Sequence, residues 1–234
     1  MKAEKLSIII PSLNEAAHIS STLNRLQKMR NNGHEIILSD GGSTDNTIKL
    51  AENKVDICIN KYRGRAAQMN AGAQCASGDV LCFLHADTLA PENIDHIIIQ
   101  SLNSCAKLWG RFDVTLSGQQ ISFRIIERLM NIRSCISNIA TGDQGIFVYR
   151  HIFNKLCGFA EIPLMEDIEF SKRLRKISSV QCIHNNKLIT SSRRWEKNGI
   201  IATTLLMWQL RLRYFLGTPS STLARTYKNN DTGN

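Results

Sequence analysis

Three acidic positions lie where short apolar runs give way to polar, turn-forming residues. Asp40 follows Ile36-Ile37-Leu38-Ser39, Asp87 follows Val80-Leu81-Cys82-Phe83-Leu84, and Glu166, Asp167 and Glu169 open a stretch with helical spacing. Carboxylates gathered at one sheet edge can hold a hard divalent cation through oxygen, and one of them can take a proton from a hydroxyl. Single acids in such places have a plainer explanation, because Asp, Asn, Ser and Thr also satisfy free N–H groups at helix starts. Ser12 and Asp45 need no more than that. Asp87 ends a strongly apolar strand and is harder to explain so. For Glu166 and Asp167 the alternative is helix-end charge, favoured there by up to about 1 kcal/mol. Two adjacent acids also raise each other's pKa, which suits a base.

These groups need a frame. Leu6 to Ile10, ended by Pro11, reads as a buried strand. Further strands are expected over Glu35 to Ser39, Val55 to Ile59, Asp79 to Leu84 and Gly145 to Tyr149. Ser12 and Glu15 have capping-box spacing ahead of Ile19, Leu23 and Leu26, which recur at helical intervals. Other helices are expected over Thr44 to Asn53, Arg65 to Ala76, Gln120 to Ile139, Glu166 to Ile177 and, last, Asn198 to Leu216. Strand–helix alternation predicts an α/β fold, a mostly parallel sheet flanked by helices in one compact domain. That domain is expected over residues 1–225, with 1–90 a nucleotide-binding half, 91–225 an acceptor half, and 226–234 a loose tail. Ligands bind beyond the carboxyl ends of such strands. The segments to examine are therefore Pro11 to Glu15, Asp40 to Asp45 and His85 to Thr88.

Taken in order, these segments resemble family-2 glycosyltransferases of GT-A (Rossmann-like) fold. The resemblance rests on Ser7-Ile8-Ile9-Ile10-Pro11-Ser12-Leu13-Asn14-Glu15, Leu38-Ser39-Asp40-Gly41-Gly42-Ser43-Thr44-Asp45, Arg63-Gly64-Arg65-Ala66-Ala67-Gln68 and Leu84-His85-Ala86-Asp87-Thr88. Gly142-Asp143-Gln144-Gly145, Met165-Glu166-Asp167 and Arg193-Arg194-Trp195 continue it. Each motif alone is weak; their order and spacing together are specific. The final basic segment with Leu216-Gly217-Thr218-Pro219 is most similar to a small bacterial subgroup labelled arsenosugar-biosynthesis glycosyltransferases.

The resemblance implies an inverting transfer from a UDP- or GDP-sugar to an acceptor hydroxyl of unknown identity. It implies that Asp40 and Gly41 meet the base, that Pro11, Asn14 and Glu15 line its pocket, and that Arg65 lies by the nucleotide. Asp87 takes the last position of the acidic metal motif and would hold Mg²⁺ or Mn²⁺. His85 stands where the family often has an acid; imidazole can bind Mn²⁺ and suits Mg²⁺ poorly. Asp167 takes the general-base position with Glu166 beside it, and Asp143 and Gln144 would face the acceptor unless they only form a turn. Arg194 and Trp195, with Arg193, would grip the diphosphate or close over the donor.

The net charge of +9 permits nucleic acid, an anionic membrane or phosphorylated metabolites as partners. Aromatic content of 6% without basic–aromatic interleaving argues against nucleic acid. The seven cysteines form no C-x-x-C pair and most lie in apolar runs, so they read as free core residues in a reducing, cytoplasmic setting, with no zinc site. The start of the chain is too charged and its first apolar run too short for a signal peptide or a membrane span. Residues 198–216 are unusually apolar yet interrupted by Arg211 and Arg213. Contact with the inner membrane surface, packing on the core and a homodimer contact all stay open for them. Other readings of the whole are a nucleotidyltransferase, which would want a glycine- and lysine/arginine-rich loop after the first strand, and a sugar-nucleotide binder without turnover, suggested by His85.

Overall fold

The unbroken apolar run at the start of the chain sets the centre of the sheet. In the computed structural model, which describes residues 3–231, β1 (Leu6–Ser12) has Ile8, Ile9 and Ile10 wholly buried. It pairs in parallel with β2 (Glu35–Asp40) on one side and β4 (Val80–Phe83) on the other, and β3 (Ile57–Ile59) adds in parallel to β2. The crossovers carry α1 (Ile19–Asn31), α2 (Thr47–Ala51) and α3 (Arg65–Cys75). Strand order therefore reverses between β1 and β4, where open sheets of this type leave a crevice.

The second half extends the same sheet in mixed sense. β7 (Phe147–Tyr149) runs antiparallel to both β4 and β6 (Trp109–Leu116). β8 (Gln181–Thr190) is parallel to β6, and the short β5 (Thr88–Leu89) closes the edge antiparallel to β8. The result is one eight-stranded sheet, β3-β2-β1-β4-β7-β6-β8-β5. Helices α4 (Ile94–Asn103), α5 (Ile121–Ser137), α6 (Arg150–Lys155), α7 (Glu166–Leu174), α8 (Arg193–Asn198), α9 (Ile200–Phe215) and α10 (Ser220–Asp231) complete the chain. An aromatic cluster fixes α7: Phe170 lies 4.6 Å from Phe159 and 5.4 Å from Phe153, and Phe83 of β4 joins both. This packing aims the acidic start of α7 back at the ends of β1 and β4.

Several expectations need correction. Ser12 does not cap a helix; it ends β1, and its Oγ donates to Asp40 Oδ2 at 2.9 Å. The helix begins later, at Ile19, because Asn14 turns the chain at φ 54°. The helix expected over 198–216 is present as α9, which starts after Gly199 at φ 81°, but it is not the last one: α10 follows. Residues 226–231, expected to be loose, belong to α10, whose Leu223 is buried against α9; residues 232–234 lie outside the described part. Strands β6 and β8 were not foreseen.

The cysteines also differ. Cys135 of α5 and Cys182 of β8 form a disulfide, whereas all seven were expected free. The pairing removes the sequence argument for a reducing setting. Cys82 is buried as expected, but Cys58 is exposed, because β3 is an edge strand. Closing a loop of this size stabilises a fold by about 2–4 kcal/mol. Cys135→Ser is expected to lower stability by about that much, read by thermal or denaturant unfolding, and a reductant should reproduce the loss in the wild type. An unchanged midpoint would show that the bond does not stabilise the fold.

Candidate active site

A cleft of about 740 Å³ opens at the strand reversal between β1 and β4. Of the residues singled out in the sequence, Pro11, Glu15, Arg65, His85, Asp87, Asp143, Glu166, Asp167, Arg194 and Trp195 line it. Asn14, Asp40, Gly41 and Gln144 do not.

Asp40 is wholly buried and serves its own loop. One carboxylate oxygen accepts from the backbone N of Gly42 at 2.8 Å and of Ser43 at 2.6 Å; the other accepts from Ser12 Oγ and Ser43 Oγ. Asn14 locks the neighbouring turn, with its N donating to Ser43 Oγ at 2.8 Å and its Oδ1 accepting from Thr44 N at 2.9 Å. Gly41 donates through its N to Ser12 O at 2.8 Å. Gln68 of α3, which carried no assigned role, pins the two strand ends by donating to Ser12 O and Ser39 O at 2.8 and 2.7 Å. These residues shape the cleft's rim and present no free carboxylate to it.

One end of the cleft holds Glu15 and Asp87. Burial, then the charge of Asp87, pushes the Glu15 carboxyl above its usual range, and its Oε2 is enclosed without a hydrogen-bond donor. Arg193 Nη2 lies 3.7 Å from Glu15 Oε2 and 3.9 Å from Asp87 Oδ2, and Nη1 lies 3.2 Å from His18 Nε2. Arg193, at the start of α8, thus meets both carboxylates, while Arg194 stacks on the Tyr227 ring at 3.7 Å. Trp195 packs beside the apolar cluster of Leu116, Phe123 and Ile126.

The other end is built on the turn Gly142–Gln144. Gly142 N donates to Asp167 Oδ2 at 2.7 Å, and Ile168 N donates to Asp167 Oδ1 at 2.7 Å. His85 lies under this turn: a Cβ on Gly142 would come within 2.7 Å of its Nε2, so any larger residue there must displace the imidazole. That nitrogen is enclosed without a partner, and burial, then the charge of Arg65, holds the imidazole neutral, well below its usual pKa. Gln144 is buried and accepts from Thr141 N at 3.1 Å, so it forms the turn and does not face the cleft; Asp143 does. Glu166 is buried with Oε1 3.8 Å from Arg65 Nη1. Burial, then the neighbouring Asp167 charge, raises its carboxyl pKa, and Arg65 opposes the rise.

A metal-assisted site needs oxygen ligands and open positions. Asp87 and the undonated Oε2 of Glu15 provide hard oxygen at one end of the cleft, which suits Mg²⁺ or Mn²⁺ held by one or two carboxylates and ligand phosphates. Among the described residues, the one group of three His, Cys, Asp or Glu side chains close enough to share an ion is Cys135, Cys182 and His184; the two cysteines are bonded to each other, and none of the three lines the cleft. Among the described residues no closed cage surrounds these carboxylates, so a cation held there would take the rest of its shell from ligand oxygens or water.

Residues 7–150 match the family model for glycosyl transferase family 2. The chain belongs to that family. Similar across nearly all of it is a PGL/p-HBAD biosynthesis glycosyltransferase of Mycobacterium tuberculosis, 27% identical over 90% of this chain and 100% of the relative. Among solved structures, TarS 1–349 of S. aureus in complex with UDP-GlcNAc superposes at TM-score 0.64 and 15% identity, covering 80% of this chain and 58% of that one. Glucosyl-3-phosphoglycerate synthase of Mycobacterium tuberculosis, in complex with Mn²⁺, UDP and phosphoglyceric acid, superposes at 0.63 and 16% identity, covering 92% and 79%. At such identities these likenesses establish the fold, which is GT-A.

Proposed function

We propose that this chain is an inverting glycosyltransferase that moves a sugar from a UDP- or GDP-sugar to an acceptor hydroxyl, with Mg²⁺ or Mn²⁺ held by Asp87. The observation that carries this reading is the meeting, in one cleft, of a carboxylate end (Asp87, Glu15) with a second acidic end (Glu166, Asp167). Solved structures of the same fold bound to UDP or UDP-GlcNAc, one of them with Mn²⁺, support it.

A bound cation would stabilise the charge of the leaving diphosphate. The chain's own groups do the rest. Pro11 and Arg65 wall the nucleotide end, and Arg193 and Arg194 close it from α8. Arg193 then trades its contacts with Glu15 and Asp87 for phosphate oxygens, which arginine grips in bidentate fashion. His85, neutral and turned toward Gly142, orients the turn that holds Asp167. Asp167 takes the acceptor's proton while the acceptor oxygen attacks from the face opposite the diphosphate.

The narrower resemblance to the arsenosugar subgroup rests on the segment ending at Pro219 and names no substrate. A nucleotidyltransferase fits less well, because the loop from Pro11 to Glu15 has no basic residue for a triphosphate. The test is a panel of UDP- and GDP-sugars with Mn²⁺ or Mg²⁺, reading released nucleoside diphosphate. Metal-dependent release from one donor is expected. No release and no calorimetric binding of any donor would overturn the reading.

A further inference from the structure

The far half of the cleft carries arginines that the transfer reaction does not use. Arg133 of α5 and Arg211 of α9 both line it. Arg133 is half-buried, and its Nε and Nη2 are enclosed with no hydrogen-bond partner. Burial and then the positive charge of Arg211 push its pKa down to about 10, with Asp143 and Asp167 opposing. Two like charges brought together with unmet donors are costly unless something supplies oxygen acceptors. The charges acting on Arg133 are thus Arg211, Asp143, Asp167 and Arg111, while those acting on Glu15 are Asp87, Arg193, His18 and Asp45. The two sets share no member, although both groups line the same cleft.

We propose that Arg133 and Arg211 form an anion subsite beside Asp167, and that the acceptor carries a phosphate or carboxylate seated there. This rests on the transferase reading and names the acceptor's class. A tetrahedral or planar oxyanion fills both unmatched nitrogens and relieves the repulsion between the two guanidinium groups. The hydroxyl to be glycosylated then lies on the Asp167 side of that anion.

Inorganic phosphate is the probe, titrated by calorimetry with and without saturating UDP. Phosphate is expected to bind the UDP-loaded protein, and Arg133→Met to weaken it by about tenfold or more while UDP affinity stays unchanged. Arg211→Met provides the second variant if the first folds poorly. Arg133→Met is also expected to melt no lower than wild type, since it removes two enclosed donors that have no acceptor. Phosphate binding that is absent, or indifferent to both substitutions, overturns the proposal. Failure of UDP to bind would instead strike the donor reading, and phosphate alone still tests this one. Dodecyl phosphate below its micelle concentration separates the sources: tighter binding than inorganic phosphate assigns a lipid headgroup, and equal binding a soluble phosphorylated acceptor.

A different observation carries a second inference. Helix α5 exposes Ile121, Ile125, Leu129, Ile132 and Ile136 on one face, and α9 exposes Ile201, Leu205, Trp208, Leu212 and Phe215 on one face. Ile121, Ile136 and Ile201 are 80%, 77% and 76% exposed, far more than a monomer leaves bare by chance along whole helix faces. Leu129 and Trp208 belong to these faces and also line the cleft, so the two faces flank its mouth. Arg128 is exposed on α5, where Arg124 is paired with Glu127 at 2.8 Å, and α9 carries Arg211 and Arg213 and no acidic residue. Among the described residues no helix is long and apolar enough to cross a membrane.

We infer that α5 and α9 dock the protein on an anionic lipid surface. A second copy would set these arginines against like charge, whereas an anionic bilayer matches both the apolar and the basic groups. The protein is expected to float with phosphatidylcholine vesicles containing phosphatidylglycerol and to shift its tryptophan emission to the blue, a shift that Trp208→Phe should remove. Ile125→Glu with Leu212→Glu should abolish flotation and leave UDP affinity unchanged. Wild-type protein that stays unbound, or a dimer by light scattering that this double variant dissolves, overturns the inference.

Discussion

Asp87→Ala is expected to lower metal-dependent release of nucleoside diphosphate on the order of a thousandfold, the size of effect seen when a principal charge-stabilising group leaves an active site. The expectation follows from how few oxygens the donor end provides. Asp87 is placed by the turn between β4 and β5, and Glu15 is the one other carboxylate there. Glu15 is the weaker anchor, because burial and the Asp87 charge raise its pKa. Without Asp87 a cation held there would lose its proposed ligand, and Arg193 would face Glu15 alone. The Mn²⁺ concentration needed for half activity should therefore rise steeply, while UDP binding without metal should hold. Glu15→Gln should have a smaller effect. An Asp87→Ala variant with wild-type Mn²⁺ dependence would place the cation elsewhere.

The parts of this site that were legible in the sequence are those written in local pattern. Apolar runs bounded by turn residues mark β1, β2 and β4, and the residues after them reach the cleft at Pro11, Glu15, His85 and Asp87. The parts that were not legible depend on partners distant in sequence. β6 hides because Arg111 and Asp113 interrupt its apolar run; both are buried, and they pair with each other. β8 hides because its exposed stretch from His184 to Lys187 spans an irregularity in its pairing with β6. Ser12 has the right spacing for a cap, but Asp40 claims its hydroxyl. Asp40 likewise carries the family's pattern yet spends both oxygens on its own loop. Arg193 and Arg194 look interchangeable in sequence; the first turn of α8 sends one to Asp87 and the other to Tyr227. Arg133 had no local signal at all, since a basic residue in an amphipathic helix usually faces water.

The second large effect concerns the proton. Asp167→Asn is expected to cut transfer by about a thousandfold while leaving UDP binding close to wild type. Asp167 already accepts Gly142 N and Ile168 N, one on each oxygen, so each oxygen keeps a lone pair for the acceptor hydroxyl. An asparagine must turn its NH₂ toward one of those N–H groups, so it loses the base and also loosens the Gly142 turn. Some fall in melting temperature is therefore expected with it. Glu166→Gln separates the two adjacent acids. Folding raises the Glu166 pKa, so its ionisation costs the folded state stability as pH climbs from the unfolded value through the folded one. Removing that charge should leave the protein at least as stable at neutral pH, and should act on donor affinity by releasing Arg65. If Asp167→Asn keeps its transfer rate and Glu166→Gln loses it, the base is Glu166, and the high pKa of that buried carboxyl becomes the catalytic feature of the cleft.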